Sequence, residues 1–207
     1  MEALVEAVGA TRQAPVYVQS ARPSVGRGAL SPESIARTLG ALLPEQAIVV
    51  NEAATSGFMI PAMTAAAAPH DWLDLTGGAI GQGLPSAVGA AVACPDRRVL
   101  ALEGDGAGMY TLQSLWTMAR EQLDITVVIF ANRKYAILQV ELLRVGAGNP
   151  GRKAMDMLDL SRPDLDWVAL AKGMGVPATR ATSAEEFNSQ LARSLAASGP
   201  TLIEAVL

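Results

Sequence analysis

The sequence has one cysteine, one histidine and few aromatic residues. With Cys94 as the only thiol, an internal disulfide and a metal site built from several cysteines are excluded. Only 17% of the 207 residues are charged, and the net charge of −4 argues against a surface for nucleic acid or for anionic membranes. The longest apolar runs have the length of strands, too short to span a membrane. Since no basic region followed by an apolar one opens the chain, we expect no secretory signal and a cytoplasmic location.

Half of the residues are hydrophobic, and the composition is rich in small and aliphatic side chains. Segments of strand length alternate with segments of helix length. This alternation predicts an α/β fold, a doubly wound parallel sheet of about six strands flanked by helices. The predicted strands are 47–50, 72–74, 98–103, 125–131, 176–181 and 201–206. The main predicted helices are 31–43, 56–67, 81–93, 109–121, 136–144, 163–172 and 184–196.

The chain divides into a short leading segment and one domain. Residues 1–28 combine a short helix with a stretch rich in proline, arginine and glycine, which is typical of a linker from a preceding domain. Ser31 followed by Pro32 is a favourable helix start, because serine caps a helix and proline suits its first position. We therefore assign residues 29–207 to the domain.

Asp105 and Asn132 each follow a predicted strand. Asp105 lies within Gly104-Asp105-Gly106 after strand 98–103, and Asn132 comes directly after strand 125–131. One helix-length segment separates them, and parallel strands joined by a crossover helix end on the same side of the sheet. We therefore expect both side chains to face one crevice at the carboxyl edge of the sheet, where open α/β folds bind ligands.

The residue types at this crevice suit a diphosphate held by a metal ion. Mg²⁺ takes oxygen ligands and is usually held by one or two carboxylates together with phosphates of the substrate. Asp105 supplies a carboxylate, and Asn132 supplies a neutral carbonyl oxygen. Gly106 lets the backbone approach a ligand closely because it has no Cβ, and the start of the next helix presents free N–H groups to an anion. No Gly-Lys-Ser run of the Walker type occurs here, so a metal would balance the phosphate charge.

Two other interpretations of the glycine-rich run were weighed against the metal site. A Gly-Asp-Gly at the end of a strand is often only a turn. The run Gly104–Gly108 also partly matches a dinucleotide-binding fingerprint, but its third glycine has the wrong spacing. Asp105 would then face a pyrophosphate with no metal between them, which is repulsive. The spacing to Asn132 and the turn at Gly77-Gly78 favour the metal site.

Three separate blocks carry a resemblance to a known family. They are Gly104-Asp105-Gly106 with the later Ala131-Asn132, the turn 75–85, and the run 171–176. Together they resemble the diphosphate-binding domain of thiamine-diphosphate-dependent enzymes, most of all the branch of acetolactate synthase and benzoylformate decarboxylase. The family has Asn-Asn where this chain has Ala131-Asn132, and the second asparagine is the usual metal ligand.

The resemblance implies thiamine diphosphate and Mg²⁺ as cofactors. The side chains of Asp105 and Asn132 and the carbonyl of Lys134 would ligate the metal. Ile80 takes the place of the apolar residue that holds the cofactor in a bent shape, and the carbonyl of Gly78 would accept a hydrogen bond from its aminopyrimidine. The remaining cofactor contacts that it implies are the hydroxyls of Thr55 and Ser56, the backbone of Gly104, Gly106 and Ala107, and Tyr135.

The resemblance also implies a partner. Enzymes of this family activate the pyrimidine ring with a glutamate from a different domain, usually of a neighbouring subunit, and that domain is not evident in this sequence. We therefore expect a pyrimidine-binding domain on another chain or in a missing N-terminal region, and a homo- or hetero-oligomer. No residue of this chain is identified as catalytic, and the chain is expected to be inactive alone.

Two functional hypotheses remain. The first is the Mg²⁺–diphosphate half of a decarboxylase or carboligase that acts on a 2-oxo acid. Acetolactate synthases carry a tryptophan shortly after the asparagine motif, whereas residues 135–142 contain none, which favours this broader class. The second is a non-catalytic module for cofactor binding or protein interaction, from a fragment, a split gene product or a degenerate copy.

Overall fold

The computed structural model describes residues 2–9 and 21–207, and these form six strands and eleven helices. The strands are β1 (Ile48–Glu52), β2 (Asp71–Asp74), β3 (Val99–Gly104), β4 (Ile125–Ala131), β5 (Ala178–Ala181) and β6 (Thr201–Val206). The helices are α1 (Glu2–Ala7), α2 (Pro32–Leu42), α3 (Ala54–Gly57), α4 (Ile60–Thr64), α5 (Gly83–Ala93), α6 (Asp105–Gly108), α7 (Ser114–Arg120), α8 (Ala136–Arg144), α9 (Arg152–Asp156), α10 (Trp167–Gly173) and α11 (Ala184–Ala196).

All six strands pair in parallel, in the order β2-β1-β3-β4-β6-β5. The chain runs from β1 to β2 on one side and then returns to β3 on the other side of β1. Between the carboxyl ends of β1 and β3 the winding therefore changes direction, and such a switch point opens a crevice in an α/β sheet. The predicted doubly wound parallel sheet is confirmed.

Helices cover both faces of the sheet, and the central strands alternate between two cores. In β3, Leu100 and Leu102 pack in one core, whereas Val99 and Ala101 pack in the other. The first core includes buried side chains of α2, α4 and α11, and the second includes those of α5, α7 and α10. Because both faces are buried, the central strands β3 and β4 are apolar along most of their length.

The start of α2 follows from local sequence. The hydroxyl of Ser31 accepts a hydrogen bond from the backbone N–H of Ser34 at 3.1 Å, and the N–H of Ser31 donates to the hydroxyl of Ser34 at 2.9 Å. Each side chain thus satisfies a backbone donor that the helix leaves free. Pro32 occupies the first turn, where its missing N–H costs nothing.

The leading segment makes specific contacts with the domain. The expected short helix is α1, while linker residues 10–20 lie outside the described residues. Within 21–28, the N–H of Gly26 donates to the hydroxyl of Thr38 in α2 at 3.0 Å. Asn188 of α11 donates to the carbonyl of Gly26 at 2.8 Å. Residues 21–28 were predicted to be part of the linker. In the structure, α2 and α11 hold them against the domain.

The helices differ from prediction mainly near the carboxyl edge of the sheet. The single helix expected at 56–67 is split into α3 and α4, with Pro61 in the first turn of α4. The helix expected at 109–121 begins only at Ser114, because the chain first forms the short turn of α6. A Cβ on Gly108 would lie 2.7 Å from the ring of Trp167, so this turn packs closely against α10. Short helices of this kind have no long apolar period in the sequence by which to predict them.

Two further helices differ from prediction at their ends. The helix expected at 163–172 begins at Trp167, because the carboxylate of Asp166 caps it by accepting from the N–H of Ala169 at 3.1 Å. The short α9 is not among the helices predicted from the sequence. In the part of the chain that the structure describes, no helix has the length and apolar character needed to cross a membrane.

Candidate functional site

A cavity of about 260 Å³ lies at the carboxyl ends of β1, β3 and β4, at the switch point of the sheet. Loops that follow β1, β2, β3 and β4 contribute to its wall. Every site residue predicted from the sequence lines this cavity except Ser56. The predicted lining residues are Thr55, Gly78, Ile80, Gly104, Asp105, Gly106, Ala107, Asn132, Lys134 and Tyr135.

Asp105 is held rigidly at the end of β3. Its side chain is 3% exposed, and Oδ1 accepts from the backbone N–H of Gly106 at 2.9 Å. Oδ2 accepts from the backbone N–H of Arg133, in the loop after β4, at 2.6 Å. Burial raises the pKa of Asp105 from 3.8 to about 6, although the backbone hydrogen bonds oppose the shift. A carboxylate that pays a desolvation cost when it ionises is favourably placed to bind a cation.

Asn132 lies beside Asp105 and is fixed by two further contacts. Its Oδ1 accepts from the N–H of Lys134 at 3.1 Å, and its Nδ2 donates to the hydroxyl of Ser56 at 3.3 Å. Ser56 is only 6% exposed and does not line the cavity, so the predicted direct contact is replaced here by one with Asn132. The loops after β1, β3 and β4 are thus joined by side-chain hydrogen bonds at one place.

The donor atoms at this place fit Mg²⁺. Asp105 offers carboxylate oxygens, Asn132 offers an amide oxygen, and the backbone carbonyl of Lys134 belongs to the same loop. Among residues 2–9 and 21–207, no group of three histidine, cysteine, aspartate or glutamate side chains is arranged to hold a metal. A hard cation with oxygen ligands, completed by phosphate and water, is therefore the class that this donor set favours over a softer metal.

Tyr135 packs directly on the glycine motif. A Cβ on Gly106 would lie 2.5 Å from Cε1 of Tyr135 and 3.1 Å from a methyl group of Leu160. Only glycine therefore allows the ring to rest on the backbone at this position. Burial raises the pKa of the Tyr135 hydroxyl, and the nearby Tyr110 and Asp105 raise it further.

A glycine-rich loop after β2 forms the opposite wall. Gly77, Gly78 and Gly81 have φ values of 63°, 68° and 89°, a left-handed conformation that glycine adopts without strain. Ile80 is 48% exposed and lines the cavity. Ile80 could also be interpreted from the sequence as ordinary core packing, and its exposure shows that it is not part of the core.

Glu52, at the end of β1, holds this loop in place. Its Oε1 accepts from the N–H of Gly81 and its Oε2 from the N–H of Gly83, both at 2.5 Å. The hydroxyl of Thr111 donates to the carbonyl of Gly81 at 2.9 Å. From the sequence, Glu52 is expected to be a structural residue that fixes the loop before Thr55, with a catalytic acid as the alternative. In the structure, it binds the loop that carries Gly78 and Ile80 instead.

Glu103 is a second buried carboxyl beside Glu52. The two residues are paired in register on β1 and β3, with exposures of 0% for Glu103 and 3% for Glu52. Burial raises the pKa of Glu103 well above its usual range, and the negative charge of Glu52 adds to the rise. Sequence reasoning missed Glu103, although a glutamate in an apolar central strand is a visible signal.

Residues 55–205 match the family model described as the thiamine pyrophosphate enzyme, C-terminal TPP binding domain. The chain belongs to this family. The matched range contains all three metal-ligand candidates and every cofactor-contact residue predicted from the sequence. The expected resemblance to thiamine-diphosphate-dependent enzymes is therefore confirmed, as is the presence of a domain that binds this cofactor.

Relatives of this thiamine pyrophosphate enzyme domain include proteins of two named activities. A Mycobacterium tuberculosis protein, provisionally named acetolactate synthase large subunit IlvX, is 55% identical over the whole chain. Benzoylformate decarboxylase of Pseudomonas aeruginosa is 34% identical over 86% of the chain. The chain spans 40% and 32% of the length of these two relatives.

Solved structures of the family agree with the observed fold. The thiamine diphosphate-dependent 4-hydroxybenzoylformate decarboxylase of Rhodococcus jostii superposes with a TM-score of 0.74 and 32% identity. The superposition covers 94% of this chain and 35% of the decarboxylase chain. The thiamine pyrophosphate-binding fold therefore extends over nearly the full sequence.

Proposed function

We propose that this chain is the half of a thiamine-diphosphate active site that holds the diphosphate through Mg²⁺, in an enzyme that decarboxylates or ligates 2-oxo acids. The observation that carries the proposal is the convergence of Asp105 and Asn132 on one loop. Oδ2 of Asp105 accepts from the N–H of Arg133, and Oδ1 of Asn132 accepts from that of Lys134. Membership in the family and the names of the relatives support the same reaction class.

The metal end of the cavity would bind the phosphorylated tail. Asp105, Asn132 and the carbonyl of Lys134 would ligate Mg²⁺, which in turn would neutralise the diphosphate. The backbone of Gly106 and Ala107 and the hydroxyl of Thr55 line the same cavity and would donate hydrogen bonds to phosphate oxygens. Ser56 would act indirectly, by orienting Asn132.

The rest of the cavity is apolar and would enclose the rings of the cofactor. Leu75, Ile80, Ile137 and Leu138 line this part. Apolar walls with a few polar groups at one end are the usual form of a cofactor site. When bound, thiamine diphosphate supplies the carbanion stabilisation that a 2-oxo acid needs to lose carbon dioxide. The chain's part is to orient the cofactor and keep water from it.

The open side of the crevice supports a partner domain. Ile80 is 48% exposed and Leu138 is 42% exposed, although both line the cavity. Apolar side chains grouped around a binding site are typical of a surface that another protein covers. We propose that a pyrimidine-binding domain carrying the activating glutamate covers it, in a homo- or hetero-oligomer. The chain's span of about two fifths of its M. tuberculosis relative is consistent with this.

Calorimetric titration of the purified chain tests the function. Thiamine diphosphate should bind in the presence of Mg²⁺ and much more weakly when EDTA removes the metal. Thiamine without phosphates is the matched control ligand and should bind weakly in both conditions. Equal affinity for thiamine and thiamine diphosphate, or binding unaffected by EDTA, would contradict the proposal.

The alternative is a non-catalytic module that binds the cofactor or a protein partner. The chain spans 40% and 32% of the length of these two relatives. The two functions are distinguished by mixing the chain with a candidate pyrimidine-binding domain and measuring the decarboxylation of 2-oxo acids. Turnover by the mixture supports the enzyme, whereas cofactor binding without turnover in any mixture supports the module.

A further inference from the structure

We propose that Glu52 is the positioning residue that sets where Gly78 and Ile80 stand in the cofactor crevice. The identity of the ligand, thiamine diphosphate, rests on the proposed function. The hydrogen bonds by which Glu52 holds the loop are contacts within this chain and do not depend on the ligand. Residues 76–80 are all exposed, so side-chain packing does little to fix the loop. A loop without buried side chains needs hydrogen bonds to hold one conformation.

The bridging contacts of Glu52 supply such bonds at the carboxyl end of the loop. One carboxylate binds two amides, those of Gly81 and Gly83, both at 2.5 Å. Gly81 and Gly83 are themselves buried, so their N–H groups would lack a partner if the carboxylate were removed. Gly83 is also the first residue of α5, whose N-terminal dipole favours a negative charge.

Hydrogen bonds also connect the start of the loop to the segment 81–83 that Glu52 binds. The side chain of Gln82 accepts from the hydroxyl of Thr76 at 2.9 Å, and it donates to the carbonyl of Asp74 at 3.3 Å. Gln82 lies between the two glycines that Glu52 binds. Displacement of the 81–83 segment would therefore move both ends of the loop together, and Ile80 with them.

Glu103, paired in register with Glu52 on the neighbouring strand, lies against the same glycine. Its carboxyl fills the space beside Gly83 so closely that a Cβ there would overlap one of its oxygens. The same Cβ would lie 2.9 Å from Oε2 of Glu52. The two glutamates and Gly83 thus form one packed unit, and within it Glu52 makes the two contacts to loop amides.

The experiment compares three variants of the full chain by hydrogen exchange and by cofactor titration. Glu52→Ala removes both contacts, whereas Glu52→Gln keeps one acceptor oxygen. Ser194→Ala is the matched control, because it deletes a buried hydroxyl that contacts Thr126 and does not line the cavity. Melting temperatures measure the general loss of stability in each variant.

We expect Glu52→Ala to speed exchange of the Gly81 and Gly83 amides by at least about tenfold. The dissociation constant for thiamine diphosphate with Mg²⁺ should rise by about tenfold, which corresponds to the loss of a charged hydrogen bond. Glu52→Gln should give intermediate values for both. Ser194→Ala should leave the exchange rates and the dissociation constant unchanged, even if its melting temperature falls as far as that of Glu52→Ala.

The two measurements separate this inference from the proposed function. Unchanged exchange at Gly81 and Gly83 in Glu52→Ala overturns the positioning role. Faster exchange with unchanged cofactor affinity overturns its link to the cofactor. If the unaltered chain binds no thiamine diphosphate while its two glycine amides are protected, the proposed function fails, and the link to the cofactor fails with it. If Ser194→Ala changed amide exchange and cofactor affinity as much as Glu52→Ala does, Glu52 would only contribute to general stability, and the positioning role would be wrong.

Discussion

The backbone N–H of Arg133 donates a hydrogen bond to Oδ2 of Asp105 at 2.6 Å. Arg133 has a φ of 58°, a left-handed conformation that is unusual for a residue with a side chain. The loop after β4 is therefore shaped around the carboxylate at the end of β3. Such strain is kept where the surroundings impose it, often at functional sites.

Replacement of this carboxylate should abolish Mg²⁺-dependent binding. In Asp105→Ala the metal loses its only charged protein ligand among those proposed, and the affinity for thiamine diphosphate should fall at least about a hundredfold, since hydrogen bonds and ligation by a charged group are both lost. Calorimetry measures this. Asp96→Asn, an exposed position in a turn, is the control and should bind as the unaltered chain does. Unchanged affinity in Asp105→Ala would refute the metal role.

Cofactor affinity should fall at acid pH. Burial raises the pKa of Asp105 to about 6, so the carboxyl carries a proton below that pH in the metal-free chain. Mg²⁺ needs the ionised form and must displace this proton, so the affinity should fall about tenfold for each pH unit below 6 and level off above it. Titrations between pH 5 and pH 8, spanning that value, measure the slope. An affinity independent of pH over this range would contradict the assignment.

A methyl group at position 83 should destabilise the protein. The Cβ of Gly83→Ala would overlap the carboxyl of Glu103 and crowd Glu52, an overpacking that costs about 1–3 kcal/mol. Gly89→Ala is the matched control, because it lies in the same helix with no atom within 4 Å of the new Cβ. That variant should gain about 0.5–1 kcal/mol from helix propensity. Urea unfolding distinguishes the two, and equal stability would show that the glutamates adjust freely.

The hydroxyl of Ser56 should matter through Asn132. Ser56→Ala removes the acceptor that Nδ2 of Asn132 uses at 3.3 Å, and one lost hydrogen bond of about 1 kcal/mol lowers affinity about fivefold. Cofactor titration measures the change. Ser114→Ala, a buried serine that does not line the cavity, should leave the affinity unchanged. A loss as large as that of Asp105→Ala would instead indicate direct ligation by Ser56.

The chain alone should turn over no 2-oxo acid. We propose that the activating glutamate lies in a different domain. Glu52 and Glu103 are not placed to replace it, because one binds two backbone amides and the other is fully buried. A coupled assay for carbon dioxide release, with benzoylformate and pyruvate as substrates, tests this. Measurable decarboxylation by the pure chain would contradict the assignment of the activating glutamate to another domain.

Much of the fold and the centre of the site could be predicted from the sequence. The central strands are nearly continuous apolar runs, and the alternation of strands with helices indicates a parallel, doubly wound sheet. Asp105 and Asn132 lie at the ends of consecutive crossover-linked strands, so their convergence follows from the handedness of such connections. The short helices α3, α6 and α9 could not be predicted, because helices of four or five residues have no apolar period in the sequence.

The role of each site residue depended more on the folded structure than on the local sequence. Thr55 and Ser56 are adjacent and chemically alike, yet one lines the cavity and the other lies behind its wall. Glu52 and Gly81 are 29 positions apart, and no local pattern links the carboxylate of one to the amide of the other. Such contacts depend on how separate loops meet at the sheet edge.

The sequence by itself determined the parallel sheet, the family and the pair of oxygen donors, because each depends on apolar periodicity or on a short motif at the end of a strand. Only the tertiary structure decided which side chains face the cavity, and that a buried glutamate holds the glycine-rich loop. The physical reason is that a strand's direction is set by local residues, whereas hydrogen bonds between loops form only after the strands have brought them together.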